Sequence, residues 1–360
     1  MIPILLNVPI IPNQAGLQRR IEQVNNSGWF TNFGPLHQEL TERLEAYLGV
    51  KNLLLVSNGT VALQVAYKAL NVRHAVTTPF SFIATTSSLQ WQGHDVSFAD
   101  IDGHSLNVCP TNIEKALTEN KQIDSIVATH VFGNPCEVDQ IASIARSHNK
   151  RVIYDAAHAF GVKVKGESVL THGDASTLSF HATKVFHTVE GGAIVFKDAE
   201  KFERAKRLIN FGIDTANGAI TEPGINGKLN EYQCAVGLTI LDEIDSILDH
   251  RLNLFSTYRQ ELESVVDMPS WLEGASKNGA YMPILLESEE RRTAVMEALT
   301  SSGIQSRKYF SPSLNTVNGA NVTMPVSEDI ASRILCLPLH YYMSQSEVRL
   351  VASNVRGAVK

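Results

Sequence analysis

Val152-Ile153-Tyr154-Asp155-Ala156-Ala157-His158-Ala159 is the stretch on which the reading of this chain turns. An apolar run ends in a carboxylate, and small residues follow. The pattern predicts a buried strand that delivers Asp155 to its C-terminal end, where α/β sheets build their binding sites. The alanines beyond it leave room for a flat ligand, and His158 stands three residues on. Taken singly, such an aspartate equally suits a helix cap and such a histidine a structural role.

Outward from this strand the same alternation repeats. Short apolar runs at Leu53–Val56, Ala75–Thr78, Asp95–Ala99 and Ser125–Val131 predict strands. Helical patterns fall between them at Val61–Ala69, Ile83–Trp91, Asn112–Leu117 and Val138–His148. Ahead of the first strand, Leu36, Leu40, Leu44 and Leu48 share one helical face, and Gly49 reads as the C-cap. Strands alternating with helices imply right-handed crossovers and a mainly parallel central sheet layered by helices. Beyond Gly173 come short strands at Ser176–Phe180 and Ala193–Phe196, then one long helix over Asn230–His250. The last part predicts a strand at Tyr281–Leu286 and helices at Ser288–Ser301 and Ser344–Val355. The expected organisation is a large α/β domain over residues 1–240 and a smaller α+β domain over 241–360.

Composition narrows the function classes. The 360 residues are 44% hydrophobic and 19% charged, which excludes disorder. No apolar run is long enough to span a bilayer, and MIPILLNVPIIPNQ has no basic leader and three prolines, so neither a membrane span nor a signal peptide is expected. Cys109, Cys136, Cys234 and Cys336 stand far apart with no CxxC pair. They predict free thiols in a cytoplasmic protein, not a disulfide or zinc framework. A net charge of −6 argues against nucleic acid as a partner, yet leaves room for a small anion held by local cations and backbone amides.

Two further segments carry chemistry. Ser57-Asn58-Gly59-Thr60 joins a strand to a helix, whose N-terminus offers unpaired N–H groups to a phosphate; an ordinary turn with Thr60 as N-cap is the alternative. Ser179-Phe180-His181-Ala182-Thr183-Lys184, followed by Glu190-Gly191-Gly192, places a lysine just past a short strand. Burial there would depress its pKa and free a neutral, nucleophilic amine. A phosphate anchor, a carboxylate for a ring nitrogen and a reactive lysine are together the three needs of pyridoxal phosphate (PLP).

With those residues in view, the chain resembles the DegT/DnrJ/EryC1/StrS sugar aminotransferases, among the fold-type I PLP enzymes. The resemblance runs through GWFTNFGP at 28–35, SNGTVAL at 57–63, TPFSFIATTSS at 78–88, FADID at 98–102, HVFGNPCEVD at 130–139, YDAAHAFG at 154–161, SFHATK at 179–184, EGGAIVF at 190–196, GINGKLNEYQCAVGL at 224–238 and LCLPL at 335–339. It implies that Lys184 carries the cofactor, that Asp155 holds its ring nitrogen, and that Gly59, Thr60 and Ser179 contact its phosphate. It further implies that Phe82 stacks on the ring, with core packing as the alternative, and that His158 lies near the 3-hydroxyl. Asn226 is expected to reach the phosphate in a neighbouring subunit, making a homodimer with shared sites. Relatives that dehydrate sugars have histidine in place of the lysine, so Lys184 points away from that chemistry.

Within the family, RKYFSPSLNT at 307–316, PVSEDIASRILCLPL at 325–339 and FHTVEGGAIVF at 186–196 resemble enzymes that aminate C4 of dTDP-4-keto-6-deoxyglucose with glutamate as donor. A 3-keto sugar nucleotide, or the galacto epimer at C4, is the runner-up. Arg307 and Lys308 are candidate cations for a carboxylate or pyrophosphate, and Tyr309 and Phe310 candidate pocket walls; solvated loop charges and core packing are their alternatives. A regulator that binds PLP or a sugar nucleotide without turnover is the non-enzyme reading. A dinucleotide oxidoreductase is disfavoured, since no GxGxxG follows the early strands.

Overall fold

The computed structural model describes residues 3–317 and 322–359. Two helices lead, α1 (Gln14–Ser27) and α2 (Pro35–Leu48), each closed by a left-handed glycine, Gly28 and Gly49. The alternating region follows as β1 (Leu53–Val56), α3 (Gly59–Ala69), β2 (His74–Thr77), α4 (Ala84–Trp91), β3 (Asp95–Phe98), α5 (Pro110–Glu119), β4 (Ser125–Thr129), α6 (Val138–His148) and β5 (Arg151–Asp155). A short hairpin, β6 (Lys163–Val164) and β7 (Glu167–Ser168), precedes β8 (Ala175–Ser179), β9 (Gly192–Phe196) and α7 (Ala199–Leu208). Then come α8 (Glu231–Leu241), α9 (Ile244–Leu262), β10 (Met282–Leu285), α10 (Glu289–Ser301), α11 (Pro325–Arg333), β11 (Ile334–Leu337) and α12 (Gln345–Val359).

Seven strands make the main sheet in the order β1-β9-β8-β5-β4-β2-β3. Only β9 runs against the others, pairing antiparallel with both β1 and β8. Six strands therefore end at one edge, which gathers the loops after β1, β4, β5 and β8 on one side of the sheet. The antiparallel strand begins there, with Gly192 opposite both Val56 and Ser179. A Cβ on Gly192 would lie 2.8 Å from the Asn58 backbone and the Leu178 carbonyl, so only glycine lets the three strands close at this point. Layered helices bury the sheet on both faces: Leu40, Leu44, Ile141 and Leu238 pack in one apolar cluster, Leu63, Ala66, Leu89 and Leu208 in the other. A second, two-stranded sheet of β10 and β11 packs with α9, α10 and α12 around Leu254, Tyr258, Ile284, Val295 and Val351.

The expected mainly parallel layered sheet is thus present, with several boundaries moved. The single helix predicted over Asn230–His250 is two, because the chain bends at Asp242–Glu243, where Glu243 leaves helical geometry (φ −116°, ψ 6°). Asp242 is held outside by Arg20 of α1 and Arg43 of α2, at 2.9 and 2.8 Å. The strand predicted to run to Val131 stops at Thr129, since Phe132 turns into the left-handed region (φ 58°). Asn58, not Thr60, caps α3, its side chain accepting the Val61 N–H at 2.8 Å. All four cysteines are free, and among the described residues no helix is long and apolar enough to cross a membrane.

One buried carboxylate locks the leading helices to the sheet layer. Glu231, the first residue of α8, is 1% exposed and accepts the N–H groups of Leu36 and His37 at the start of α2, at 2.8 and 3.0 Å. It supplies the cap that Gly34 lacks, and Gly34 is required because a Cβ would lie 2.7 Å from the Glu231 carboxyl carbon. Replacing Glu231 by alanine strands two buried donors at a helix N-terminus, a loss of about 2–3 kcal/mol. In denaturant unfolding at fixed protein concentration, Glu231→Ala is expected to show that loss and Glu231→Gln a smaller one. Equal stability of all three proteins would remove the cap from this account.

Candidate active site

At the gathered edge, β1 runs into Ser57-Asn58-Gly59-Thr60 and α3 begins. Asn58 takes the Val61 N–H with its side chain and the Ala62 N–H with its carbonyl. Among the described residues this leaves the Gly59 and Thr60 amides without a protein acceptor, at the positive end of an 11-residue helix. Ser179, at the end of β8, seals the other side: a Cβ on Gly59 would sit 2.8 Å from the Ser179 Cβ and 3.1 Å from its hydroxyl. Gly59, Thr60 and Ser179 are therefore together, and they form a cradle lined by N–H and O–H donors.

Asp155 ends β5 between the cradle strands and β4. Its Oδ1 accepts the Ala157 N–H at 3.1 Å and its Oδ2 the Thr85 hydroxyl at 2.7 Å. Burial raises its pKa, while the Thr85 and Ala157 hydrogen bonds and the Lys184 ammonium pull it back. Lys184 follows β8 on a loop pinned by the Ala182 N–H to Val189 carbonyl bond and by Asn7 donating to the Thr183 carbonyl at 2.6 Å. Desolvation lowers the Lys184 pKa to about 8, against opposing pulls from Asp155 and Tyr309. His158 lies buried beside them. Its Nδ1 accepts the Phe132 N–H at 3.3 Å, which leaves its proton on Nε2. Burial and the nearby Lys184 charge both keep that ring neutral.

The small sheet supplies one wall. Tyr281 and Phe310 pack on the His158 ring at 4.6 and 6.0 Å between centroids. Tyr309 reaches the same region under the exposed Arg307 guanidinium, 5.0 Å above its ring. Lys308 is exposed. Phe82 is 55% exposed, which overturns core packing as its role and leaves its ring bare at the mouth of α4. Asn226 is exposed on a segment bridged to Asn210, on a different loop from the cradle. Two surface hollows, about 450 Å³ along β3 and about 410 Å³ beside α7, contain none of Lys184, Asp155 or Gly59. The chemistry sits instead at the sheet edge, where α/β sheets place it.

Sequence reasoning missed Thr85 and Tyr281. The hydroxyl-rich TPFSFIATTSS was the available signal for Thr85; nothing local marks Tyr281, which arrives from a distant part of the chain. The residues present fit PLP: an anion cradle that any Cβ at Gly59 would fill, a buried acceptor-only carboxylate, and an amine depressed by burial, all on one edge. Among the described residues no cluster of metal-ligating side chains occurs.

Comparison with known proteins agrees with this arrangement. The DegT/DnrJ/EryC1/StrS aminotransferase family model matches residues 13–356. A dTDP-4-amino-4,6-dideoxy-D-glucose transaminase of Shigella dysenteriae is 41% identical, over 98% of each chain. A protein of the same name from Escherichia coli is 35% identical over 97% of each. The crystal structure of DesI in the presence of its TDP-sugar product superposes with a TM-score of 0.93 and 32% identity, covering 99% of this chain and 93% of that one.

The depressed amine has a measurable consequence. The folded Lys184 pKa of about 8 lies below the ordinary 10.5, so between those values the folded state binds fewer protons than the unfolded. Stability of the ligand-free protein therefore rises with pH through that window, and the burial penalty is fully present below it. Lys184→Met is expected to melt above the parent at neutral pH, with the gap closing as pH approaches about 10.5. Differential scanning calorimetry across pH checks this. A gap independent of pH would mean that the amine is not held against its charge.

Proposed function

We propose a reaction for this chain, which belongs to the DegT/DnrJ/EryC1/StrS aminotransferase family: amino transfer from glutamate to C4 of dTDP-4-keto-6-deoxyglucose, with PLP as cofactor. The observation that supports the chemistry is the convergence of Lys184, Asp155 and the Gly59–Thr60 amides on one sheet edge. The sugar assignment is supported by the 41% identity to the Shigella dysenteriae transaminase across nearly the full length of both chains.

When bound, PLP supplies an electron-accepting ring that stabilises negative charge at the donor's Cα. The chain's residues do the rest. Gly59 and Thr60 donate N–H groups, and Ser179 its hydroxyl, to the phosphate. Asp155 holds a proton on the ring nitrogen through its carboxylate. Lys184 would hold the cofactor and, once displaced by the amino donor, would take a proton from the donor's Cα at Nζ and give it to the carbon on the far side of the transferred nitrogen. A pKa near 8 suits that exchange, because the neutral and charged forms are both accessible at neutral pH. His158, with its proton on Nε2, would serve the ring's hydroxyl, and Phe82 would cover one ring face. Arg307, Lys308 and Tyr309 serve the sugar nucleotide or the donor carboxylate.

We also read the chain as a cytoplasmic homodimer, each subunit built from a cofactor domain over 1–240 and a smaller domain over 241–360. Trp29, Phe30, Phe211, Ile225 and Tyr232 are all large and exposed, side chains that a second copy would cover. Asn226 follows Ile225 in the chain and is exposed, available to the partner's phosphate.

Borohydride reduction is expected to fix PLP on Lys184, read by peptide mapping, and Asp155→Ala to lose at least ~10²-fold in turnover with the fold intact. A label on another lysine, or near-normal turnover of the aspartate variant, counts against the site. Sharing is tested by mixing Asn226→Ala with Lys184→Ala chains: one site of a mixed dimer receives both lesions and the other neither, so activity returns. No recovery after proven subunit exchange refutes sharing.

The product decides the sugar. NMR of the purified amino sugar is expected to show H4 with large couplings to both ring neighbours, the equatorial amine of the gluco form. An amine on C3, or a small H3–H4 coupling, would overturn the substrate assignment and leave the aminotransferase reading standing.

A further inference from the structure

Behind Asp155 lies a file of buried hydroxyls that none of the roles above employs. Thr85 Oγ1 lies 2.7 Å from Asp155 Oδ2, Ser81 Oγ 2.8 Å from Thr85 Oγ1, and Thr129 Oγ1 3.0 Å from Ser81 Oγ. All three side chains are at most 3% exposed. Each hydroxyl has one proton, and an ionised carboxylate only accepts, so the carboxylate fixes the direction of the whole file. Thr85 donates to Asp155, Ser81 to Thr85, and Thr129 to Ser81. Bonds aligned head to tail polarise one another, and the effect is largest where water is absent.

The fold places the ends of this file deliberately close. Thr129 and Asp155 are register partners on β4 and β5. Ser81 and Thr85 bridge them from the turn that opens α4, and Tyr67 pins that turn by donating to the Thr85 carbonyl at 3.2 Å. The other titratable groups near Asp155 are Lys184, His158, Tyr67 and Tyr281. Burial keeps both tyrosines protonated and His158 neutral, which leaves Lys184 as the one group among them that changes charge near neutrality.

We propose that Thr129, Ser81 and Thr85 form a one-way hydroxyl relay that positions Asp155 and holds it as a carboxylate, with Thr85 the terminal positioning residue. This rests on the proposed role of Asp155 at the cofactor's ring nitrogen. A relay of this kind makes a specific demand: cutting it near the carboxylate must matter most, and a second cut behind the first must matter little.

The test is a spectrophotometric pH titration of the PLP-loaded enzyme and its variants, following the bound cofactor's visible band. Thr85→Val removes one charge-assisted hydrogen bond and is expected to move the titration midpoint by about one unit. Ser81→Ala is expected to move it less and Thr129→Val least, while Thr85→Ser behaves as the parent. The Thr85→Val/Ser81→Ala double variant is expected to shift no further than Thr85→Val alone. Equal shifts at all three positions, additive shifts in the double variant, or a Thr85→Ser protein as disturbed as Thr85→Val would each overturn the relay. Should Thr85→Val fail to fold, Ser81→Ala, which deletes a single oxygen, carries the same comparison: an unmoved midpoint overturns the relay. A parent enzyme that shows no PLP band would instead overturn the cofactor reading itself, an outcome distinct from all of these.

Discussion

A carboxylate removed from water at the end of a β-strand must be compensated or it takes up a proton, and Asp155 is such a group. Burial pushes its pKa up, and only the Thr85 hydroxyl, the Ala157 amide and the Lys184 ammonium oppose the push. Each of these comes from a different part of the chain, so ionisation of one side chain depends on the correct meeting of α4, the turn after β5 and the loop after β8. The reverse dependence also holds. The lysine that helps Asp155 stay ionised is itself desolvated to a pKa of about 8, and the aspartate is the first charge that supports it. The two groups are poised by the same burial and against each other.

The architecture makes this meeting unavoidable. Six strands ending at one edge supply their loops to a single region, and the one reversed strand, β9, slots between β1 and β8 with a glycine where the three backbones crowd. That placement brings Ser179 against Gly59 and so closes the anion cradle from both sides. The antiparallel strand is therefore part of how the site is built, since a parallel strand there would start at the opposite edge and draw the connection from β8, which carries Lys184, away from the site. The small sheet adds Tyr281 and Phe310 only as a wall on His158, which fits the division of labour in which one region holds the charges and the other excludes water from them.

How much of this was legible in the sequence depended on whether the signal was local. Asp155, Lys184 and the SNGT turn each carry their own short pattern, an apolar run ending in a polar residue among small ones, and all three lie where that pattern puts them. The leucine stripe of α2 and its glycine cap were equally local and equally readable. Failures came where the deciding partner is far away. The bend at Asp242–Glu243 is anchored by arginines more than 190 positions earlier, and α8, buried on nearly every side, offers no amphipathic break at which to divide a helix. Asn58 outcompeted Thr60 as cap because the helix starts two residues earlier than the apolar pattern does. Phe82 looked equally suited to a core or a binding surface, and only the packing of α4 against α3 leaves it outside.

In the proposed function, substrate choice belongs to the part of the molecule that these constraints touch least. The cradle, Asp155 and Lys184 are fixed by backbone crowding and burial, so they tolerate little change and are suited to a cofactor common to many relatives. Arg307 and Lys308, by contrast, are exposed, and Tyr309 is held mainly by ring contacts with Tyr281, Phe310 and the Arg307 guanidinium. Their backbone is tied down, since Arg307 and Cys336 exchange main-chain hydrogen bonds at 3.1 and 2.8 Å, but their side chains are not. A rigid rail carrying free side chains can be altered one residue at a time without disturbing the charges beneath it. Turning a hexose by one ring position needs only a few contacts of about 1–3 kcal/mol each. That is the scale on which such side chains act, and it is far below what would be needed to dislodge the buried carboxylate and its partners.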